Sequence, residues 1–343
     1  MKGKLIVFGF ISMLLALALI AGCAQPAPTP QKIKIKAACA PAALAWYPAA
    51  VALHSYINDN SMLDITSSST SGPLAITASV VEGTADIGIQ GVNNMLTYAY
   101  NGWYDFEGKP YKNLRNLIMV GGMHVSLVTV PRTGIKTFDD LKGKRIAWYT
   151  ASVNDNIEAQ IRMAGIDPEK EIIRVNVPSM AEAHEEMRVG RIDAASTALL
   201  PSGSLLELQE AAGGIWFLPV DKQQLLEGKA KFPKAFAGIV PGVYQPFMQP
   251  ALKIEKPVTT WLLPIGVACL DSLDEEAAYI YVKTILENVE EVKALNPTLK
   301  GFSFEQAAST VFEVPYHEGA IRAFKEKGLW TEEQEQFQQK FFK

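Results

Sequence analysis

The feature that most limits what this chain can fold into is a strand–loop–helix order that repeats along it. Ile33-Lys-Ile-Lys-Ala-Ala38 alternates as a strand does, and Trp46 to Asn58 carries apolar residues at helical spacing. Leu63 to Thr66 is a short strand, and a Ser/Thr-rich loop, Ser67 to Ser71, leads through Gly72-Pro73 into a helix ending near Glu82-Gly83. Ala85 to Gln90 is a third strand. The order then returns. Strands are expected at Val125–Val130, Lys144–Tyr149, Ile172–Val177 and Ile192–Ala195. Helices are expected at Thr137–Gly143, from the loop Thr150–Asn154 through Gly165, and at Ser179–Gly190. Trp261 to Leu270 is long and apolar, and a helix follows from Asp274 to Leu295. Such alternation predicts parallel sheets with crossover helices. Two α/β units joined by extended apolar segments fit a hinge, with the crossings expected near 125–131 and 260–268.

The N-terminus bears on compartment rather than fold. Lys2 and Lys4 precede an almost uninterrupted apolar run, Leu5 to Ile20, that stops at Ala21-Gly22-Cys23. This is the pattern of a signal peptide over residues 1–22, too short for an ordinary membrane span. Leu19-Ile-Ala-Gly-Cys23 resembles the lipobox of bacterial lipoproteins, which implies lipidation at Cys23 and a membrane held through that lipid. Residues 23–31, with three prolines, read as a flexible tether. About 310 residues remain, more than one ordinary core takes. The 20% of charged residues are spread without the clustered basic face of a nucleic-acid partner. Cys39 and Cys269 sit in apolar runs; they are either a disulfide or two buried thiols. No spacing suggests zinc, another metal or a cofactor.

Several stretches together resemble the TAXI family, the solute receptors of one branch of the TRAP transporters. Gly134-Ile-Lys-Thr-Phe-Asp-Asp-Leu-Lys-Gly-Lys-Arg-Ile-Ala147 matches a segment shared by periplasmic binding proteins of the type II fold. Glu82-Gly-Thr-Ala-Asp-Ile-Gly-Ile-Gln90 resembles the family's GxADxGxxQ, and Val189-Gly-Arg-Ile-Asp-Ala194 its GxIDA turn. Narrowest is Val314-Pro-Tyr-His-Glu-Gly-Ala-Ile-Arg-Ala-Phe-Lys-Glu-Lys-Gly328, which is similar to the TAXI C-terminal signature. The resemblance implies a two-lobed, hinge-connected α/β fold of parallel-sheet lobes. Lobe one would span 32–130 plus 262–343, and lobe two 131–261. It also implies a monomer outside the cytoplasmic membrane, in the periplasm or on the envelope exterior. There it would capture a small organic acid, an amino acid or dicarboxylate, for the membrane permease subunits of an ion-driven TRAP transporter.

In such sheets ligands bind beyond the carboxyl ends of the strands, where helix N-termini present unpaired N–H groups. Four loops qualify. The first offers Trp46 and Tyr47, either cleft residues or core of the following helix. The second offers Ser71 and Gly72, and the third Asn93 and Asn94, as donors or as caps. The fourth offers Ser152 and Asn154, with Tyr149 before them; Thr197 is a further candidate for the same wall. Arg132, after the first crossing, is the candidate cation for a carboxylate, and no other Lys or Arg falls in these loops. The first loop reads Ala40-Pro-Ala-Ala-Leu-Ala45 and the fourth Thr150-Ala-Ser-Val-Asn154, where the family has glycines. Both departures add apolar surface and remove close backbone approach, which points to a bulkier or less polar acid than glutamate.

No catalytic residue is assigned. His317 lies in the C-terminal signature without a nucleophile and reads as structural. His184 lacks the second histidine of a zinc helix and reads as solvent-facing, and His54 and His124 show no partner in sequence. An envelope enzyme would need a nucleophile–base or metal constellation. The receptor of an ATP-driven importer and a ligand sensor docking on a membrane kinase are the alternative functions.

Overall fold

The computed structural model describes residues 31–342 apart from 43, 150, 151, 199–201, 249 and 311. The signal peptide, Cys23 and nearly all of the tether lie outside the described residues. Met1–Ile33 and Lys34–Lys343 form separate units, and the account below concerns the second. No helix among the described residues is long and apolar enough to cross a membrane.

The first stretch runs β1 (Ile33–Cys39), α1 (Trp46–Asn60), β2 (Leu63–Ser69), α2 (Pro73–Val81), β3 (Ile87–Val92), α3 (Asn93–Asn101) and β4 (Leu114–Thr129). Then come β5 (Arg145–Trp148), α4 (Ser152–Met163), β6 (Ile173–Asn176), α5 (Met180–Arg188), β7 (Ala194–Ala198) and α6 (Gly203–Ala211). The chain continues through β8 (Trp216–Phe217), α7 (Lys222–Lys231), β9 (Val240–Tyr244) and β10 (Val258–Leu270). It closes with α8 (Glu275–Glu287), α9 (Val289–Leu295), α10 (Glu318–Glu326) and α11 (Glu332–Gln339). Local chemistry sets many of these boundaries. Ser179, Ser202, Asp221 and Asp274 each accept a backbone N–H at a helix start, and Pro73 opens α2 where its missing N–H costs nothing.

The strands form one ten-stranded sheet in the order β2-β1-β3-β10-β4-β7-β5-β6, with β8 beside β4 and β9 beside β10. Pairing is parallel between β1 and β3 and between β5 and each of β6 and β7. It is antiparallel where β10 meets β3, β4 and β9, and where β4 meets β7. The expected parallel sheets are therefore the two flanks of a mixed sheet, joined through an antiparallel central pair. That pair is longer than the alternation suggests. β4 runs 16 residues where a strand is expected only at 125–130. Gly121, Gly122, His124 and Ser126 interrupt its apolar pattern. The interruption has a packing cause: a Cβ on Gly122 would lie 2.5 Å from Leu262 Cδ1 across the pair. Register shifts at Ile265/Gly266 and Val267/Ala268 add local twist to β10.

β4 feeds two cores. Leu114 and Met119 pack with Val80, Leu96, Tyr98, Phe312 and Val314. Leu127 and Val128, further along, pack with Ile146, Ile157, Ile161, Leu205 and Leu208. Two smaller departures concern helices. Thr137–Gly143 contains only a 3-10 turn, Asp139–Leu141, because Asp140 turns back to accept the N–H groups of Lys136 and Thr137. The helix expected over 274–295 breaks at Asn288 into α8 and α9.

The C-terminal signature is structural in geometry. Tyr316 is buried, its hydroxyl donating to Ser309 O, while its backbone N–H and C=O are both bonded by the Gln338 amide. His317 caps α10, with Nδ1 accepting from the Gly319 N–H and Nε2 on Leu273 O. Cys39 and Cys269 are both buried free thiols.

Candidate functional site

Three helices direct their first turns, and a fourth its second and third, at one cavity of about 180 Å³. Pro73 opens α2, Asn94 and Met95 lie in the first turn of α3, Met180 opens α5, and Asn156, Ile157 and Gln160 come from α4. The floor is the central strand pair: Met123 and Val125 of β4 beside Trp261 and Leu263 of β10. Ser196 of β7 and Ile239 complete the described wall. A helix start carries unpaired N–H groups and a partial positive charge, so the polar resource here is backbone rather than side chain. Among the described residues, no Lys, Arg, His, Asp or Glu walls the cavity, and no group of His, Cys, Asp and Glu stands ready for a metal.

Two wall residues each carry a buried polar atom that has no partner and no accessible surface. Gln160 uses Nε2 on Asn156 Oδ1 at 3.3 Å, leaving Oε1 without a donor. The Trp261 Nε1–H has no acceptor. The two residues are 6% and 3% exposed, so water does not serve these atoms from bulk. Unserved buried polar groups are rare enough to need a reason.

The residues expected from sequence fall into three groups. Asn94 is on the wall, its Oδ1 accepting from the N–H of Met95. Gly72 is the N-cap of α2 beside Pro73, while the Ser71 side chain is exposed. Tyr149 is buried behind the wall, donating through its hydroxyl to Ser196 O at 2.8 Å. The side chains of Asn93, Ser152 and Asn154 lie outside the described residues, although their backbones open α3 and the start of α4.

The others stand elsewhere. Trp46 is a core residue, 3% exposed, its ring 3.0 Å from where a Cβ on Gly121 would stand. Tyr47, half-buried, is not on the wall. Thr197 faces away from the cavity, because neighbours on a strand alternate: Ser196 looks in, and Thr197 Oγ1 meets His184 Nε2 at 3.0 Å. Arg132 is committed at the far end of α5. Its guanidinium donates to Met187 O and Ile192 O, both at 2.9 Å, and sits 3.5 Å from Asp193. Met180, on the wall, is about 12 Å away along that helix.

The histidines also differ from their sequence reading. His184 is buried between Thr197 and Ser204 rather than solvent-facing, and burial lowers its pKa to about 4. His54 bridges Ser67 and Tyr281, with burial taking its pKa to about 3. His124 pairs with Thr260 at 2.7 Å and meets the Tyr244 ring edge-on, its pKa down to about 4 by burial. Each is a neutral hydrogen-bonding side chain of the packing.

Sequence reasoning missed the apolar wall: Met95, Met123, Val125, Ile157, Met180, Trp261 and Leu263. One signal was present. Segments expected to cross between two units must also floor whatever cleft lies between them.

An α/β sheet of this order, with helix starts gathered over its central pair, has the fold of the periplasmic binding proteins. The solved periplasmic sulfonate-binding protein SsuA of a sulfonate ABC transporter from Methylobacillus flagellatus KT superimposes with a TM-score of 0.50 at 13% identity. That match covers 77% of this chain and 70% of the other. The aliphatic sulphonate binding protein SsuA of Escherichia coli gives 0.46 at 12% identity, over 92% and 87%. The amino acid ABC transporter substrate-binding protein AbpA of Streptococcus pneumoniae, bound to L-arginine, gives 0.43 at 13%, over 78% and 95%. The chain belongs to the NMT1-like family, whose sequence model matches residues 37–328. No curated protein matches it in sequence.

Proposed function

We propose that the chain is an extracytoplasmic solute-binding receptor, not an enzyme, that captures a small organic acid between two lobes and delivers it to a membrane permease. The observation that carries this reading is the cavity itself, where helix starts from both sides of the central pair meet over an apolar floor. The lobes are 32–130 plus 262–343 and 131–261, with β4 and β10 as the hinge strands. Ligand bridging them shifts an open–closed equilibrium. The chain works as a monomer on the outer side of the cytoplasmic membrane, held through lipid at Cys23.

Two permease partners compete, each on its own observation. The C-terminal segment Val314–Gly328 supports a TRAP-type, ion-driven permease of the TAXI branch. The solved relatives named above belong to ABC transporters, and they favour the receptor of an ATP-driven importer. Transport by membranes carrying one permease or the other, with and without a proton or sodium gradient, separates them.

The first test of capture is a thermal-shift screen of the full chain against amino acids, dicarboxylates, aliphatic and aromatic monocarboxylates, and alkanesulfonates. Ligand at 100 times its Kd adds about 2.7 kcal/mol. No shift with any member refutes capture of a small organic acid.

A further inference from the structure

Besides the two hinge strands, a further segment touches both lobes. It is the end of α7 and the turns that follow, Lys229–Ile239. The two-lobed receptor reading above, on which this inference rests, assigns it to lobe two. Ile239 walls the cavity, and Phe236 is buried in one cluster with Ala159, Leu225 and Trp261. The segment is thus anchored on lobe two and under the cavity floor.

Three of its side chains reach the other way. Lys229 Nζ lies 2.5 Å from Glu313 Oε1, and the two side chains are 33% and 30% exposed. Lys234 Nζ stands 5.6 Å from the centre of the Trp103 ring, within cation–π reach. Ala237 is buried in the cluster that holds Tyr98, Phe312 and Val314. Glu313, Trp103 and those three residues all belong to lobe one. Gly238, at φ 67°, then turns the chain so that Ile239 returns to the cavity.

These contacts are of a kind that can be made and released. An open crevice of about 440 Å³ has Tyr104 on one side and Phe232–Ala235 on the other, so the segment meets lobe one at points rather than along one packed face. A partly exposed ion pair and a surface cation–π contact are each weak. Alanine carries one methyl group, so withdrawing Ala237 exposes little apolar surface. The β4–β10 ladder, paired from Trp261–Val125 to Leu270–Leu114, has no comparable point of release.

We propose that Lys229–Ile239 is a strap by which lobe two grips lobe one, that its release is a step in opening the cavity, and that Lys229 and Lys234 set the open–closed balance before any ligand arrives. Because Ile239 is both strap and wall, a ligand seated against it favours the gripped form.

The test is a pulsed spin-label distance measurement on the full, ligand-free chain. Labels go on Asp64→Cys in β2 and Lys170→Cys just before β6, exposed positions at opposite edges of the sheet. Cys23→Ser removes the third thiol, since Cys39 and Cys269 are buried. Lys229→Gln and Lys234→Gln, each checked for a native-like melt, are expected to raise a second distance population. The open-to-closed ratio should grow up to about fivefold for each, the range of one partly exposed charge contact, and further in the double variant. Lys229→Glu combined with Glu313→Lys is expected to return the wild-type distribution. Lys234 is exposed, so its variant remains readable even where Lys229→Gln does not fold. Distances that stay the same in both single variants and in the double variant overturn the strap and make the segment a fixed tie. The measurement needs no ligand, so the two readings fail separately. Unchanged distances in a chain that binds an acid of the screen remove the strap alone; shifting distances in a chain silent across the screen keep the strap and remove capture.

Discussion

Replacing Gly319 with alanine tests whether the C-terminal signature is kept for packing. Gly319 lies in the first turn of α10, where that helix crosses α8. A Cβ there would stand 2.2 Å from Glu275 O, 2.8 Å from Tyr279 N and 2.9 Å from Ala278 Cβ. Ordinary contact begins near 3.4 Å, so the helices must part by about 1 Å or the turn must deform. Two of the three obstacles are backbone atoms, which cannot rotate away. Overpacking usually costs about 1–3 kcal/mol, and a contact with no flexible partner belongs at the top of that range. For a body of this size that lowers Tm by roughly 4–5 °C. The assay is a pair of circular-dichroism melts with a matched control, Gly203→Ala. Gly203 sits at the start of α6 with nothing within 4 Å of a new Cβ, so alanine there is expected to be neutral or slightly stabilising. Because no α8 or α10 residue walls the cavity, G319A is expected to keep its ligand affinity. A G319A melt within about 1 °C of the wild type refutes the packing argument.

Three histidines, the buried His54 and His184 and the half-buried His124, make stability fall with acid. Their folded pKa values of about 3 to 4 lie below the ordinary 6.5, so the unfolded chain binds more protons as pH drops; the stabilisation is complete above 6.5 and is lost on the way down. Unfolding free energies from urea melts between pH 7 and pH 5 should decline by up to about 1.4 kcal/mol per pH unit for each histidine, and His184→Gln should flatten that slope. Asp193→Asn removes the paired bonds from Arg145 and the contact with Arg132, and because both arginines are more than a third exposed the expected cost is about 1–2 kcal/mol, read by denaturant midpoint, with ligand affinity unchanged. Strand alternation gives a contrasting pair: Thr197→Val should cost about 1 kcal/mol through the abandoned His184 and leave affinity alone, whereas Ser196→Ala should move affinity and leave the melt alone.

The fold was legible where side chains repeat with a period. Ile33–Cys39, Arg145–Trp148 and the capped helix after Ser179 could be read directly, because alternation and capping are local. β4 was only half legible, since its glycines answer to Leu262 and Trp46, which are remote in sequence. The site shows the same split. Asn94, on the cavity wall, and Gly72, beside Pro73, were placed at helix starts by a local rule, since helix starts follow strand ends. Arg132 was misjudged for a geometric reason: β4 is antiparallel to its neighbours and carries its C-terminal end away from the cavity. Thr197 was misjudged by one residue, enough to turn a side chain to the other face of the sheet. Gln160 gave no sequence signal, since it lies inside a helix and reaches the cavity only through the way that helix packs.

The central strand pair has one more consequence. Met123, Val125, Trp261 and Leu263 are at once the floor of the cavity and part of the antiparallel ribbon that, among the described residues, joins the two flanks of the sheet. If the proposed hinge runs through this pair, a mutation that refits the pocket to a new molecule also changes the stiffness of the joint beneath it. Changes of taste in this architecture should begin on the walls, at Met95, Met180 or Ile157, where shape can drift without altering how the molecule bends.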